Sequence, residues 1–282
     1  MSAPRQPTRS TETPQATPHE SVDWSEASLV VAHPDDEVLF FSSVVRRVKR
    51  VLICFGDNPL SPAHRERRRR ALSEHPLPSV RWLDLLETGC VGMTDWRNPV
   101  ETPVGIQLAA GPRLRAAYAR SYQRLLERLR GELAGAPLVV THNPWGEYGH
   151  EEHAQVCRVV RDLKRDLGFD LLHDDYCGSH NVRVALRYAG RIDTLAGRIP
   201  TDADLAREVL ETYKRNECWT WFDDYQWPSD EGFLRIGDDS RTAARPTRLT
   251  VIDNCMPMRP AAGLRGLLSK LGGARSPAAQ ST

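Results

Sequence analysis

The apolar run Leu29-Val30-Val31-Ala32 stops on His33-Pro34-Asp35-Asp36-Glu37. A short continuous apolar run bounded by polar residues reads as a strand buried on both faces of a sheet. Its carboxyl end would then carry one imidazole and three carboxylates within five positions. Carboxylates so crowded lose hydration and repel one another, so something must offset that cost. A bound divalent cation would do so. A second cluster, Gly149-His150-Glu151-Glu152-His153, stands more than a hundred residues further on and can close a coordination sphere.

The chain between and beyond these clusters alternates strand and helix patterns. Strands are expected over 28–32, 51–55, 80–85, 137–141, 170–176 and 182–188. Helices are expected after the Asp pair through Val45 and over 62–74, 112–134, 150–167 and 202–215. The alternation predicts a three-layer α/β/α fold with a mostly parallel sheet. Ligands of such sheets sit beyond the carboxyl ends of the strands, and both clusters follow a strand, at Ala32 and at Thr141. Residues 1–22 read as a disordered tail, 23–260 as one α/β domain, and 261–282 as a loose tail in which Leu264 to Leu271 can form a short helix. The aromatic- and Asp-rich stretch 216–240 reads as a lid.

A chain of 282 residues with net charge +1 can bury a real core. It gives no general reason to bind nucleic acid or an acidic membrane. No apolar run approaches the ~20 residues of a membrane span, and the first 20 residues lack the apolar centre of a secretory signal. The six cysteines form no C-x-x-C pair and are expected to be buried thiols. A cytoplasmic setting follows as the expectation.

Catalytic zinc takes about three protein ligands and keeps one position for water. His33 and Asp36 can reach one ion from a single turn, with Pro34 stiffening the loop. His150 and His153, at i and i+3, share a helix face, and one or both can point to the ion. The set also suits iron(II) or cobalt. Asp35 is left over and is placed to take a proton from water as general base. Glu37 can orient a neighbour or cap the following helix.

Ala32-His33-Pro34-Asp35-Asp36-Glu37 resembles the A-H-P-D-D-E signature of the LmbE/PIG-L N-deacetylases, and Tyr148-Gly149-His150-Glu151-Glu152-His153 is similar to that family's second motif. The resemblance covers roughly residues 26–190. It implies a Rossmann-like sheet and a zinc hydrolase that removes acetyl from an N-acetylglucosamine-type aminosugar. By position it implies His33, Asp36 and His153 as zinc ligands and Asp35 as general base. His150 would be an imidazolium that steadies the oxyanion, and Tyr148 would lie near the substrate carbonyl. Arg65 or Arg67 would contact substrate, the register within Arg65–Arg70 being open. Trp145 is counted with them as a substrate contact. The implied partner is a small aminosugar, such as a soluble intermediate of natural-product or thiol biosynthesis.

Several of these residues have plainer readings. Asp at a helix start is a good cap, and acids favour the first turn. His142 can be explained by a hydrogen bond within its loop, and His173 and His180 can be likewise. The Arg65–Arg70 run is more often a solvated face. Trp219, Trp221 and Trp227 can form a small core or a wall for a sugar ring.

Overall fold

The computed structural model describes residues 22–57, 61–237 and 249–252. In chain order these form β1 (Ala27–Val31), α1 (Asp36–Leu39), β2 (Arg50–Asp57), α2 (Pro62–Ser73), β3 (Val80–Leu86), β4 (Glu101–Thr102), β5 (Gly105–Ile106), α3 (Pro112–Glu132), β6 (Leu138–Thr141), α4 (Glu151–Leu167), β7 (Asp170–Asp174), β8 (Tyr176–Cys177), α5 (Val182–Tyr188), β9 (Ile192–Pro200), α6 (Ala203–Arg215), β10 (Asp230–Ile236) and β11 (Thr250–Val251). The expected tails, the helix over Leu264 to Leu271, Cys255 and the Asn58-Pro59 turn lie outside the described residues.

Seven strands form one sheet in the order β3-β2-β1-β6-β7-β10-β9. The first five pair in parallel, and β10 and β9 add antiparallel at one edge. The fold is therefore α/β with a mostly parallel sheet flanked by helices, as expected. Every residue of β1 is buried. Leu29 and Val31 pack into the core on one face, Val30 and Ala32 into the core on the other. This period-two partition is why the run is apolar without interruption. On one side α6 contributes Leu205, Val209 and Tyr213. On the other, α3 and α4 contribute Leu125, Leu129, Val156 and Val160. Each such fully buried aliphatic side chain stabilises the fold by roughly 1.5–3 kcal/mol relative to exposure.

Chain order along the sheet reverses between β1 and β6. That is the switch point where the carboxyl ends of adjacent strands leave a crevice. The two motifs emerge there, one after β1 and one after β6.

Three local expectations are corrected. The segment Val182–Tyr188 is helix α5, not a strand. Its apolar alternation mimics a strand, yet Val184, Ala185 and Tyr188 are the buried residues, at helical spacing, while Val182 and Leu186 are 38% and 66% exposed. The helix after the Asp pair is one turn long, not a run through Val45. It stops because the next amides bind elsewhere: Ser42 and Ser43 direct both backbone N–H groups and both hydroxyls onto the buried Glu231 carboxylate of β10. Finally, the stretch 216–240 is loop only as far as Ser229, since Asp230–Ile236 is a strand of the main sheet. The five described cysteines are free and buried. Among the described residues no helix is long and apolar enough to cross a membrane.

Candidate metal centre and active site

His33, Asp36 and His153 meet at the crevice between β1 and β6. His33 Nδ1 lies 3.2 Å from His153 Nε2 and 3.4 Å from Asp36 Oδ2, and His153 Nε2 lies 3.3 Å from the same Asp36 oxygen. Four ligands at roughly 2.0–2.1 Å from a tetrahedral zinc stand about 3.3–3.4 Å apart. Three potential ligand atoms thus form one face of such a tetrahedron. His150 offers an atom within 4.8 Å of His33 and His153, and His142 one within 4.8 Å of Asp36 and His153. All are buried.

The local fold explains the convergence. The turn after β1 is tightened by the His33 backbone N–H, which donates to Asp36 Oδ2 at 2.7 Å. α4 begins at Glu151 with His150 as its cap, so His153 sits in the first turn. Gly146 allows the loop from β6 to turn: its φ is +63°, and a Cβ there would lie 2.5 Å from the His150 carbonyl.

Two carboxylates behind the imidazoles fix which ring nitrogens face inward. Glu147 Oε2 accepts the Nδ1–H of His153 at 2.5 Å, and Glu152 Oε2 accepts the Nε2–H of His33 at 3.0 Å. Each bond leaves the opposite nitrogen of the ring turned toward Asp36. Carboxylate–histidine pairs of this kind orient metal-binding rings and raise their basicity. Glu147 holds its position with a φ of +48°, uncommon for a residue with a side chain. Against the desolvation of burial, His142 and His153 hold its carboxyl well below the usual range. Asp36 is held low in the same way, by His153 and His142. Desolvation likewise opposes a charge on His33, yet Asp36 and Glu152 push it up to about 10. The charges that draw a proton to that ring also favour a cation there.

Asp35 stands beside the triangle with a φ of +98°. That left-handed geometry keeps its carboxyl off the helix it precedes, where it makes no capping bond. Its Oδ2 accepts the Thr220 hydroxyl at 2.6 Å. Burial first and the Asp36 charge second push Asp35 up to about 8. Glu37 accepts from the Asp35 amide at 2.9 Å and from the Tyr213 hydroxyl at 2.7 Å, so it pins the turn.

Other expected residues fall differently. His150 does not have an imidazolium's surroundings. Its Nδ1 accepts the Glu152 amide at 3.2 Å, and burial, with His153 and His33 nearby, holds its pKa well below the ordinary value. Tyr148 is half-buried beside the site, 5.5 Å from the His153 ring and 5.8 Å from that of His150. Trp145 is fully buried and donates its indole N–H to the Tyr176 carbonyl at 2.7 Å. It braces the loop and is not exposed to substrate. Arg65 pairs with Asp84 at 2.5 Å and Arg67 with Glu217 at 3.1 Å, both at the surface. The arginine that turns inward is Arg68, which is 5% exposed, paired with Glu87, and whose Nε lacks a partner among the described residues. Glu151 faces away, accepting the amides of Gly92 and Thr94. His142 is held within the loop, with Nε2 accepting the Ala32 amide at 2.8 Å and Nδ1 donating to Glu147 at 3.0 Å.

Sequence reasoning missed Glu147 and Thr220 and left the arginine open. For the arginine a signal existed: Ala71 and Leu72 are the inward apolar positions of α2, and Arg68 precedes them by three and four. Thr220 lies in the loop 216–229, which crosses the site. Trp221 packs on Tyr148 at 4.8 Å and on Phe40 at 6.2 Å, and Trp227 donates to the Val38 carbonyl at 2.7 Å.

No family model matches the chain, and no curated protein does. Among solved structures, a deacetylase–teicoplanin complex from the biosynthesis pathway of teicoplanin aligns with TM-score 0.47 and 14% identity, covering 75% of this chain and 98% of that one. A pseudoaglycone deacetylase for the antimicrobial reagent A40926 aligns with TM-score 0.47 and 15% identity, over 79% and 100% of the two chains. The zinc-inhibited form of a teicoplanin deacetylase aligns with TM-score 0.49 and 13% identity, over 76% and 100%. At TM-scores below 0.5 these likenesses carry no weight for function. The side chains described above do.

Proposed function

We propose that this chain is a metal-dependent N-deacetylase that hydrolyses the acetamide of an N-acetylglucosamine-type aminosugar to the free amine and acetate. The observation that carries the reading is the triangle of His33 Nδ1, Asp36 Oδ2 and His153 Nε2, with sides of 3.2–3.4 Å, beside the spare carboxylate of Asp35. The donor set suits zinc, and would also accept iron(II) or cobalt. A cation held by these three residues would polarise the amide carbonyl and make a water acidic near neutral pH.

Asp35 takes the proton of the attacking water and later returns it to the leaving amine. Burial first and the Asp36 charge second push Asp35 up to about 8, so its proton affinity is high but it is free to accept only where a neighbouring cation would bring that value down. A cation held by Asp36 would offset the part of that rise that comes from the Asp36 charge. His150, a neutral ring with its Nδ1 engaged, presents its Nε2–H to the developing oxyanion. Tyr148 closes the carbonyl side. Arg68, whose Nε is buried without a partner, is the better candidate for a hydroxyl or anionic group of the substrate. The inner aromatic faces of Trp221 and Tyr148 suit the apolar face of a pyranose, and loop 216–229 acts as the lid.

The test is acetate release from free, inositol-linked and aglycone-linked N-acetylglucosamine, with zinc-loaded and chelator-stripped protein. Metal-dependent release from one member supports the reading. Its absence from every member, with zinc bound and the protein folded, rejects the aminosugar acetamide as substrate.

A further inference from the structure

Behind the triangle lies a second group of buried polar side chains. β7 ends in Asp174, and the loop after β6 carries Glu147. Both are fully buried. Each has an oxygen within 4.8 Å of the other and of a His142 nitrogen.

The donors are divided unequally between the two carboxyls. Glu147 is well supplied: Oε1 accepts from His142 Nδ1 at 3.0 Å and from the Asn143 amide at 3.2 Å, and Oε2 accepts from His153 Nδ1 at 2.5 Å and has a lone pair left. Asp174 Oδ1 accepts from Asn143 Nδ2 at 2.7 Å and from the Tyr176 amide at 3.0 Å. Asp174 Oδ2 is buried and, among the described residues, no donor reaches it. An ionised oxygen left without a donor in the interior is costly, and two neighbouring buried carboxylates do not both ionise. A proton on Asp174 Oδ2 removes both costs, because it turns the orphan acceptor into a donor toward Glu147.

A cation does not fit here as well. The Ala32 amide donates to His142 Nε2, so His142 Nδ1 carries the ring proton and has no lone pair to offer.

We propose that Asp174 is a positioning residue that keeps its proton and donates it to Glu147, and so sets how strongly Glu147 draws the Nδ1–H of His153. Burial, then the charge of Glu147 and the hydrogen bond between the two, hold Asp174 well above the usual carboxyl range. Of the facing groups, His142 spends its Nδ1–H on Glu147, and against burial Glu147 and Asp36 push it up to about 9, so that ring favours an ionised Glu147 while leaving Asp174 Oδ2 without a donor. Asp175 adds negative charge, itself paired with Arg198 at 2.6 Å. His173 is a neutral ring whose Nδ1–H is spent on the His142 carbonyl at 2.8 Å. The chain Asp174–Glu147–His153 thus reaches from the end of β7 to the proposed metal position. Only the last link rests on the deacetylase reading; the proton on Asp174 stands without it.

The experiment compares wild type, Asp174→Asn, Asp174→Ala and Glu147→Gln. In the infrared difference spectrum at neutral pH, wild type minus Asp174→Asn should show a protonated-carboxyl C=O band. In zinc titrations against a chelator, Asp174→Asn, which keeps a neutral donor, should retain most of the affinity. Asp174→Ala and Glu147→Gln should lose about 10–100-fold. Absence of the band overturns the proposal. So does a loss in Asp174→Asn equal to that in Glu147→Gln, or a second bound zinc that disappears in Asp174→Asn. If Asp174→Asn does not fold, isotope-labelled aspartate in the Asp35→Asn background answers the same question: a label-sensitive protonated band supports the proton, and its absence removes it. A protein that binds no zinc defeats the deacetylase reading, while the infrared result still decides Asp174.

Discussion

His33 donates its Nε2–H to Glu152 Oε2 across 3.0 Å, and this one bond decides which nitrogen of His33 is free for a cation. The other oxygen of Glu152 is held by the amide and hydroxyl of Thr88 at 2.6 and 2.7 Å, so the carboxylate cannot swing away. Glu152→Gln keeps the shape and removes the charge. Zinc affinity should fall about 10–100-fold, the usual cost of losing such a partner. Chelator competition measures it, and unchanged affinity would remove Glu152 from the centre.

Asp35→Asn should separate chemistry from binding. Among the described residues its side chain accepts the Thr220 hydroxyl, which an amide oxygen can also accept, and it is not one of the three proposed ligands. Zinc stoichiometry should stay at that of wild type while turnover falls about 10²–10⁴-fold, the usual worth of a positioned proton acceptor. Turnover at the wild-type level would show that the base lies elsewhere.

The sequence made the centre legible where chemistry is local. An apolar strand ending in His33-Pro34-Asp35-Asp36 and the His150/His153 pair at a helix start announced both motifs, and the strand–helix alternation placed them at the carboxyl ends of the strands. It was silent where the path of a loop decides the contact. Thr220 matters because a loop folds back 185 positions to Asp35, and Glu147 because the loop between β6 and α4 curls to set it under His142 and His153, which stand only five and six positions away. Nothing in the local spacing marks either. Val182–Tyr188 misled because alternation over seven residues satisfies a strand and two helical turns alike. Burial by the neighbouring elements decided between them.

Arg68 and Arg67 are neighbours in sequence with opposite surroundings. Arg68→Met strands Glu87, which is 8% exposed at its side chain, without its cation. Removing one partner of a buried pair costs about 3–5 kcal/mol. Arg67→Ala breaks an exposed pair with Glu217 and should cost about 0–1 kcal/mol. Urea denaturation of both variants checks the contrast. Equal stabilities would contradict the inward placement of Arg68.

Acid should unfold the metal-free protein partly through His173. Burial first, then Arg161, lowers its pKa from 6.5 to about 3. The folded ring stays neutral where the unfolded one takes up a proton. Its contribution is therefore complete above pH 6.5 and is lost as pH falls from 6.5 toward 3. The slope from this one group is up to about 1.4 kcal/mol per pH unit. Stability measured by urea between pH 7 and pH 4 should fall less steeply in His173→Gln, whose amide can still donate to the His142 carbonyl. An identical slope would show that His173 is accessible to protons in the folded state.

The loop 216–229 is tied to the chain at two points beside the turn after β1 and reaches over the centre through Thr220 and Trp221. Trp227 donates to the Val38 carbonyl, and the Tyr225 hydroxyl to that of Leu39 at 3.4 Å, both next to the turn after β1. Farther in, exposed Thr220 reaches the buried Asp35, and half-buried Trp221 lies against Tyr148. A substrate carbonyl approaching Asp35 must displace the Thr220 contact and will meet the Trp221 ring. If that ring packs on the sugar, Trp221→Ala should raise KM about two- to tenfold with kcat little changed, matching the roughly 0.5–1.5 kcal/mol of an aromatic contact. If it serves only the small core with Phe40 and Tyr225, the same variant should lower Tm and leave KM alone. Steady-state kinetics and a thermal melt on one variant distinguish the two, and the wall role predicts the first result.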